Sequence, residues 1–405
     1  MSRRHLTILL FGLVLCAAKP GYAQSPAGNW QWGGSLRSLN LSGETAPGEL
    51  FPAYRVSSTR LRLESTWQGP SGWRMETAAD QQLLGTDPAG IIPLPGDGVN
   101  RRFDLDHTWQ HDAGWASRLQ VDRLNFAWSG GHVDAALGRQ AIGFGRILIS
   151  SPLDIIAPFP PDALDTDVRP GVDALRATAH YGQDGQLGAV AVLGEVSHHD
   201  SYLAYWSDNH AGIDLLALGG ELRERPMLGF GLAGSLGTLG LKGEAAVYEG
   251  EQVGSPGGDL HRHMLIAAVE GWYRFASGMT LVAQYLHNGA GAKDPADYPQ
   301  AALSAPIQEG LTALLGRDYL LAAPSYELHP LVTLNGLLIW NLADDSWLLR
   351  PTLAISLADN LSLELFWTHL AGSSPRQQPF PLPPEPRSEF GSQGDSGGFF
   401  LKWFF

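Results

Sequence analysis

The sequence has a single cysteine, few basic residues and no long apolar segment beyond residue 23. Cys16 lies within the first 23 residues, so the rest of the chain can form no disulfide and offers no thiolate to a metal or a substrate. The chain also has no Cys-x-x-Cys-His motif, which excludes a covalently attached c-type haem. No later apolar run approaches the ~18–20 residues that a transmembrane helix needs. These absences exclude thiol chemistry, disulfide scaffolds and helical membrane spans.

The shortage of basic residues excludes nucleic acid as a partner. Residues 1–23 contain three basic residues and no acid, so residues 24–405 carry 24 basic against 41 acidic residues, a net charge of −17. Proteins that bind nucleic acid neutralise phosphates with Lys and Arg, and an acidic surface repels them.

The first residues are typical of an export signal. Arg3 and Arg4 precede an apolar run over residues 6–18, and Gly21 and Ala23 then place small residues where a signal peptidase reads them. We therefore expect residues 1–23 to be a cleaved signal peptide and residues 24–405 to form one domain. An exported chain without a helical span belongs in the periplasm or the outer membrane of a Gram-negative cell.

Segments of about ten residues with alternating apolar and polar side chains recur throughout residues 24–405. In residues 55–68 and 239–249 one face is apolar and the other is charged. The charged set comprises Arg60, Arg62, Glu64, Lys242 and Glu244. Charges in mid-strand are costly in lipid but not in a wet lumen. The pattern predicts an all-β fold, a transmembrane antiparallel β-barrel whose charged faces line the lumen.

The last eight residues predict the strand that closes this barrel. Phe399, Leu401, Trp403 and Phe405 share one strand face. An exposed apolar edge strand would aggregate, whereas a closed barrel has no edge. The final aromatic residue also resembles the C-terminal signal that the barrel-assembly machinery reads in bacterial outer-membrane proteins. We expect these four residues to act as an assembly signal.

Short turns should alternate with long loops around such a barrel. Strict alternation requires strands at residues 201–207 and 310–322, and predicts about eighteen strands; sixteen is the alternative. The alternation of faces slips at Asp122 and Arg123, which predicts a β-bulge.

One loop differs from the others, because it is apolar as well as charged. Residues 141–171 join the predicted fifth and sixth strands and are rich in Ile, Leu and Pro. Such a loop would be poorly soluble in water, so we expect it to fold into the barrel and constrict the pore. The alternative is packing over the barrel rim. The candidate pore-lining residues are four arginines and four aspartates that would face one another: Arg139, Arg146, Asp154, Asp165, Asp167, Arg169, Asp173 and Arg176.

This region also resembles a known family. Residues 138–140 (Gly-Arg-Gln), Arg146 and residues 173–176 (Asp-Ala-Leu-Arg) are similar to the signature of alginate-export-type outer-membrane porins, and to porin partners of outer-membrane cytochromes. The resemblance implies an outer-membrane channel. The chain departs from the pattern in its net acidity, where a strongly basic lumen is expected, and in its long, Pro-rich loop.

The expected function is the passive passage of small polar or charged solutes through the outer membrane. We expect no catalytic residue, metal or cofactor, and as partners the lipid bilayer, the barrel-assembly machinery and a small solute. Two alternatives remain open. One is a non-conducting barrel that sheathes a multihaem cytochrome or another periplasmic partner, and the other is a phospholipase-like enzyme with a Ser–His pair at the outer rim.

Three motifs suggest other chemistry and are better explained by the barrel. Residues 394–398 spell the nucleophile motif of trypsin-like proteases, but only seven residues follow them. The triplets 198–200 (His-His-Asp) and 261–263 (His-Arg-His) lack a third metal ligand, so we expect solvated histidines at the barrel rim.

Overall fold

The computed structural model describes residues 24–25, 28–49, 52–89, 99–112, 114–379 and 384–405. The predicted signal peptide lies outside these ranges. Within them, eighteen strands form one closed antiparallel barrel. In chain order they are β1 (Gly28–Gly43), β2 (Tyr54–Gln68), β3 (Trp73–Asp87), β4 (Trp115–Gly130), β5 (Val133–Gln140), β6 (Val172–Tyr181), β7 (Gly185–Leu193), β8 (Ser201–His210), β9 (Ile213–Leu222), β10 (Arg225–Leu236), β11 (Leu239–Glu249), β12 (His263–Arg274), β13 (Thr280–Asn288), β14 (Asp318–His329), β15 (Val332–Asn341), β16 (Trp347–Ala358), β17 (Leu361–Ala371) and β18 (Ser396–Phe404).

Each strand pairs with its neighbours in sequence, and the ring closes where β1 pairs with β18. At this seam Ser35 lies opposite Phe404, and Gly43 lies opposite Ser396. The two residues Gln24–Ser25 pair with the start of β1 and do not form a wall strand of their own. The predicted eighteen strands are therefore confirmed, and the alternative of sixteen is wrong.

The connections differ in length between the two barrel ends, which we name the turn end and the loop end. Links at the turn end contain two to five residues, whereas the loop end carries the longest links. These are residues 88–114, 141–171, 250–262, 289–317 and 372–395. This alternation is the predicted one, although the strand expected at 310–322 begins only at Asp318. The preceding residues instead form a helix and turns that bury Leu314.

Helical structure is confined to short segments in the described part of the chain. Two helices lie in the 289–317 link, α1 (Tyr298–Ala302) and α2 (Ala305–Gln308). Single 3₁₀ turns cover Pro47–Glu49, Pro70–Gly72, Ser197–His199, Pro295–Asp297 and Phe390–Ser392. Neither these turns nor any other described helix has the length and apolar character needed to cross a membrane.

Strand β4 contains the predicted bulge, and the edge that does not pair with β3 pairs with two different strands. Ala78 pairs with Arg123 and Ala79 with Val121, so Asp122 is the extra residue. Beyond the bulge the lower part of β4 pairs with β5, and its upper part pairs with a separate strand, Asp106–Asp112. Strand β5 therefore leaves the wall well below the rim of β4, and residues 141–171 start from that depth.

Side chains alternate between the outer and inner barrel faces, as the sequence predicts. In β10, Leu228 is 68% exposed on the outside, whereas its neighbour Met227 is 4% exposed on the inside. On β18, Phe399 faces outward, while Phe400 and Lys402 are buried inward.

The barrel interior has an apolar half and a polar half. Inward apolar side chains of β6 to β16 form one core together with residues 141–171. Most buried inward side chains of β1 to β4 are polar or charged, although Val56, Ala78 and Leu84 are apolar. The buried polar set includes Ser35, Arg37, Arg62, Asp80, Gln82, Arg118 and Gln120. Burial of apolar surface thus holds the internal loop on one side of the lumen, at ~25 cal/mol per Å² removed from water.

Candidate functional site: the lumen and its internal loop

Glu244 of β11 holds the first part of the internal loop (residues 141–171) against the barrel wall. One carboxylate oxygen accepts the backbone N–H groups of Arg146 and Ile147 at 2.5 and 3.0 Å. The other accepts the Ser151 hydroxyl at 2.5 Å and the Leu153 N–H at 3.3 Å. Four donors from one segment on one buried carboxylate fix that segment in place, because releasing it would leave the charge unpaired.

Two further polar side chains continue this attachment along β12 and β13. Glu270 accepts the backbone N–H of Leu148 at 2.7 Å and pairs with Lys242 at 2.8 Å. Gln284 accepts from the N–H of Ser150 at 3.1 Å and donates to its carbonyl oxygen at 2.6 Å. Glu270 and Gln284 were not among the residues predicted to line the lumen. The sequence pattern that indicates a lumen position was present, because both residues occupy inward positions in strands whose apolar and polar side chains alternate.

Glycines on β10 make the room that the loop needs. Leu153 is fully buried, and a Cβ at Gly229 would come within 2.6 Å of its side chain. At Gly231 the same distance would be 3.1 Å. Larger residues at these two inward positions would displace the Leu153 side chain from its packing against β10.

Beyond Leu153 the loop crosses to the strands around the seam. Asp165 accepts a hydrogen bond from Arg37 of β1 at 2.7 Å. Asp167 lies 3.2 Å from Lys402 of β18 and 3.7 Å from Arg37. The loop is thus attached to both sides of the lumen, and it is folded into the barrel rather than over its rim.

Arg169 ties the two arms of the loop together. Its guanidinium donates to Asp154 at 2.5 Å and to the carbonyl oxygen of Ala157 at 2.9 Å. The same group lies 5.4 Å from the ring centre of Phe159. Of the predicted pairs between loop arginines and aspartates, this one is formed within the loop itself.

A cavity of about 220 Å³ separates the returning arm of the loop from the polar wall. The wall side is formed by β1 to β4 and β18, with Arg37, Arg60 and Asp80 among its lining residues. The loop side includes Phe159 and Asp165. Charged groups of both signs therefore face one space inside the barrel.

Arg139 and Asp173 occupy a different place from the predicted one, and this corrects the expectation that they line a pore. They form a two-point ion pair, at 2.8 and 3.0 Å, and are 2% and 3% exposed. Arg139 also donates to the carbonyl oxygen of Val121 at 2.8 Å. Because β5 ends here, this guanidinium links the edge of β4 to β6 within the wall.

The other predicted charges lie on the lumen side. Arg62 is buried and donates to both Asp80 and Asp122, at 3.0 and 2.9 Å. On the same strand as Arg62, Arg60 pairs with Asp80 of β3, and Glu64 accepts a hydrogen bond from Arg62. Arg146 donates to the Leu215 carbonyl oxygen, and Arg176 is exposed on the inward face of β6.

At the loop end of the barrel, Glu389 joins three connections. Its carboxylate accepts the Leu315 N–H at 2.8 Å, the Asn341 amide at 2.8 Å and the Tyr319 hydroxyl at 2.5 Å. Its own N–H donates to Asp344 at 2.8 Å. Burial outweighs these donors and raises the pKa of Glu389 to about 7.

This raised pKa predicts that the loop assembly weakens as pH rises. The pKa of this carboxyl is about 7 in the folded loops and about 4.5 when they unfold. The stabilising contribution of protonated Glu389 is therefore complete below pH about 4.5 and is lost as pH rises to about 7. In Glu389→Gln the dependence should disappear. We expect the ratio of hydrogen-exchange rates for residues 384–395, parent over variant, to rise by up to about tenfold per pH unit between those values.

Glu385→Gln in the same link is the matched control and should leave the ratio flat. A flat ratio for Glu389→Gln would contradict the role given to this carboxylate.

Comparison with known proteins gives structural neighbours only. No protein-family profile matches the sequence, and no curated protein matches it. A BenF-like porin from Pseudomonas fluorescens Pf-5 is similar in structure, with a TM-score of 0.57 and 12% identity over 95% of this chain and 100% of that one. The chain has a porin fold. Pseudomonas aeruginosa OccK8 (OprE) has a TM-score of 0.56 at 11% identity, and Acinetobacter baumannii OccAB4 has 0.54 at 10%; each match covers 93% of this chain and 98% of the other.

At such low identity this likeness concerns the fold. The predicted resemblance to alginate-export-type porins is not among these findings and stays a prediction. The porin fold agrees with the predicted barrel.

Proposed function

We propose that this protein is an outer-membrane channel that passes small polar or charged solutes without an energy source. The observation that carries the proposal is the charged cavity between the loop and the polar wall, inside a closed barrel. The outer face supports the location, because exposed apolar side chains such as Leu228, Val269 and Leu365 cover strands all around it. A soluble protein would expose such a belt to water, whereas lipid accepts it.

The internal loop is the constriction in this proposal. Its first arm fills the apolar half of the lumen, so solute passes along the returning arm and the arginine-bearing wall. We propose that five of the predicted residues line or shape this path: Arg60, Arg146, Asp154, Asp165 and Asp167. A narrow passage with charges on both sides selects solutes by size and charge.

Planar-bilayer recording of the purified protein tests the function. We expect discrete single-channel steps from protein that migrates in a heat-modifiable form on gels. The long links at the loop end would face the cell exterior. Barrels that insert without any conductance would instead support a non-conducting sheath around a partner, and calcium-dependent release of fatty acids would support a phospholipase.

Neutralising Asp165 and Asp167 should shift ion selectivity toward anions. Their loss leaves Arg37 and Lys402 without these partners, which raises the net positive charge on the wall. We expect the reversal potential of the Asp165→Asn, Asp167→Asn double variant to move toward the anion side in a salt gradient. The shift should shrink in 1 M salt, where screening acts over ~3 Å.

Asp359→Asn, at a turn-end link, is the matched control and should leave selectivity unchanged. A double variant with the reversal potential of the parent would place both aspartates outside the solute path.

A further inference from the structure

A cleft opens on the outside of the barrel at the loop end, above strands β12 to β14. It has a volume of about 500 Å³, and its lining includes His261, His263 and Arg317 together with Leu265. Directly below it, Leu265 and its outward neighbours Tyr285 and Leu320 are each about two-fifths exposed. The cleft therefore lies where the apolar outer wall gives way to the polar links.

The guanidinium of Arg317 is only partly satisfied by the protein. Its Nη2 lies 2.8 Å from Nε2 of His261 and donates to the carbonyl oxygen of Gly291 at 3.4 Å. Its Nε is buried and has no hydrogen-bond partner among the residues that the structure describes. In the same described ranges Arg317 forms no ion pair. A buried cationic donor without an acceptor is costly, so this geometry favours an anionic ligand.

A second cation stands at the mouth of the cleft. The side chain of Arg262 is 73% exposed and lies 3.7 Å from the half-exposed Glu249. An exposed pair at that distance contributes little, so Arg262 is free to turn toward a ligand. Lys293 lines an adjoining cleft of about 400 Å³ that shares His261 and Arg317.

The carboxylate that follows Arg317 in the sequence accepts hydrogen bonds from other residues. Asp318 accepts the Tyr285 hydroxyl at 2.7 Å and a ring nitrogen of His287 at 2.8 Å. Both donors belong to the barrel wall, and no salt bridge joins Asp318 to Arg317 within the described residues.

We propose that this rim cleft binds a phosphate group on the headgroup of an outer-leaflet glycolipid. The proposal rests on the outer-membrane location argued above. Phosphate oxygens would accept from the Arg317 guanidinium, which lines the cleft, and from Arg262, because guanidinium groups match phosphate geometry. The acyl chains would lie along the outward side chains below, beginning at Leu265. Cationic groups and apolar surface are thus arranged in the order in which a phosphorylated lipid presents its headgroup and chains.

Binding of fluorescent bisphosphorylated lipid A to the purified barrel in detergent micelles tests this. We expect saturable binding that weakens at least tenfold in the Arg262→Gln, Arg317→Gln double variant. Arg274→Gln removes an arginine at the turn end of the same strand β12 and should bind as the parent does. Dephosphorylated lipid A should bind at least tenfold more weakly to the parent, and inorganic phosphate should compete only at far higher concentration.

Equal lipid A affinity in the double variant, or equal affinity for the dephosphorylated lipid, would overturn the proposal. Competition by inorganic phosphate at the concentration of the lipid would overturn the lipid source and indicate a free-phosphate site. If the double variant does not assemble, the exposed Arg262→Gln alone should still weaken binding several-fold. Single-channel conductance of these variants should equal that of the parent, so failure of the binding proposal and failure of the channel function are separate results.

Discussion

Replacing residues 147–167 by a short Gly-Ser link is expected to raise single-channel conductance several-fold. This segment carries Leu153 and Ile155, which are buried in the barrel interior, and Asp165, which reaches the opposite wall. Its removal joins the cavity beside the returning arm to the space that the first arm fills. The strand ladder does not include these residues, so the barrel should still form. Planar-bilayer conductance is the measurement.

Shortening residues 251–258, in the link between β11 and β12, is the matched control. That segment lies at the rim and should leave conductance near the parent value. Glu244→Ala provides a milder test, because it removes the acceptor for four loop donors. We expect this variant to assemble and to show frequent conductance fluctuations. A shortened loop with parental conductance and selectivity would place the loop outside the solute path.

Deleting Phe405 is expected to reduce assembled barrel in the outer membrane more than tenfold. Its N–H donates to the Gly34 carbonyl oxygen at 3.0 Å, and its own carbonyl accepts the Gly34 N–H at 2.9 Å. Its ring lies 5.1 Å from that of Trp403. Deletion thus opens the end of the seam between β1 and β18 and removes the predicted aromatic signal. Heat-modifiable protein in outer-membrane fractions is the measurement.

Two substitutions separate these causes. Phe405→Ser keeps the backbone bonds of the seam but loses the aromatic ring, so a loss of assembly as large as in the deletion would assign the effect to recognition of the ring. Phe404→Ser changes the neighbouring aromatic residue, whose side chain does not belong to the predicted signal, and is the matched control. A parental amount of barrel in the Phe405 deletion would contradict an assembly signal at this end.

Local pattern was enough to predict the barrel. A strand places alternate side chains on opposite faces, so the sequence around Leu63 and Arg62 already separates outside from inside. Turn and loop lengths alternate because neighbouring strands run antiparallel, and that alternation determined the number of strands. The bulge at Asp122 was readable for the same reason, since one extra residue reverses the alternation.

The sequence also determined that residues 141–171 enter the barrel, because so apolar a loop needs burial. Only the tertiary structure decided which charges meet there. Arg37 and Asp165 are 128 residues apart, and they meet because ring closure brings β1 opposite the returning arm of the loop. Arg139 and Asp173 leave the lumen because β5 ends below the rim and a guanidinium completes the wall. Sequence determines the face of a side chain, whereas its partner across a lumen depends on strand ends and closure, which no local pattern contains.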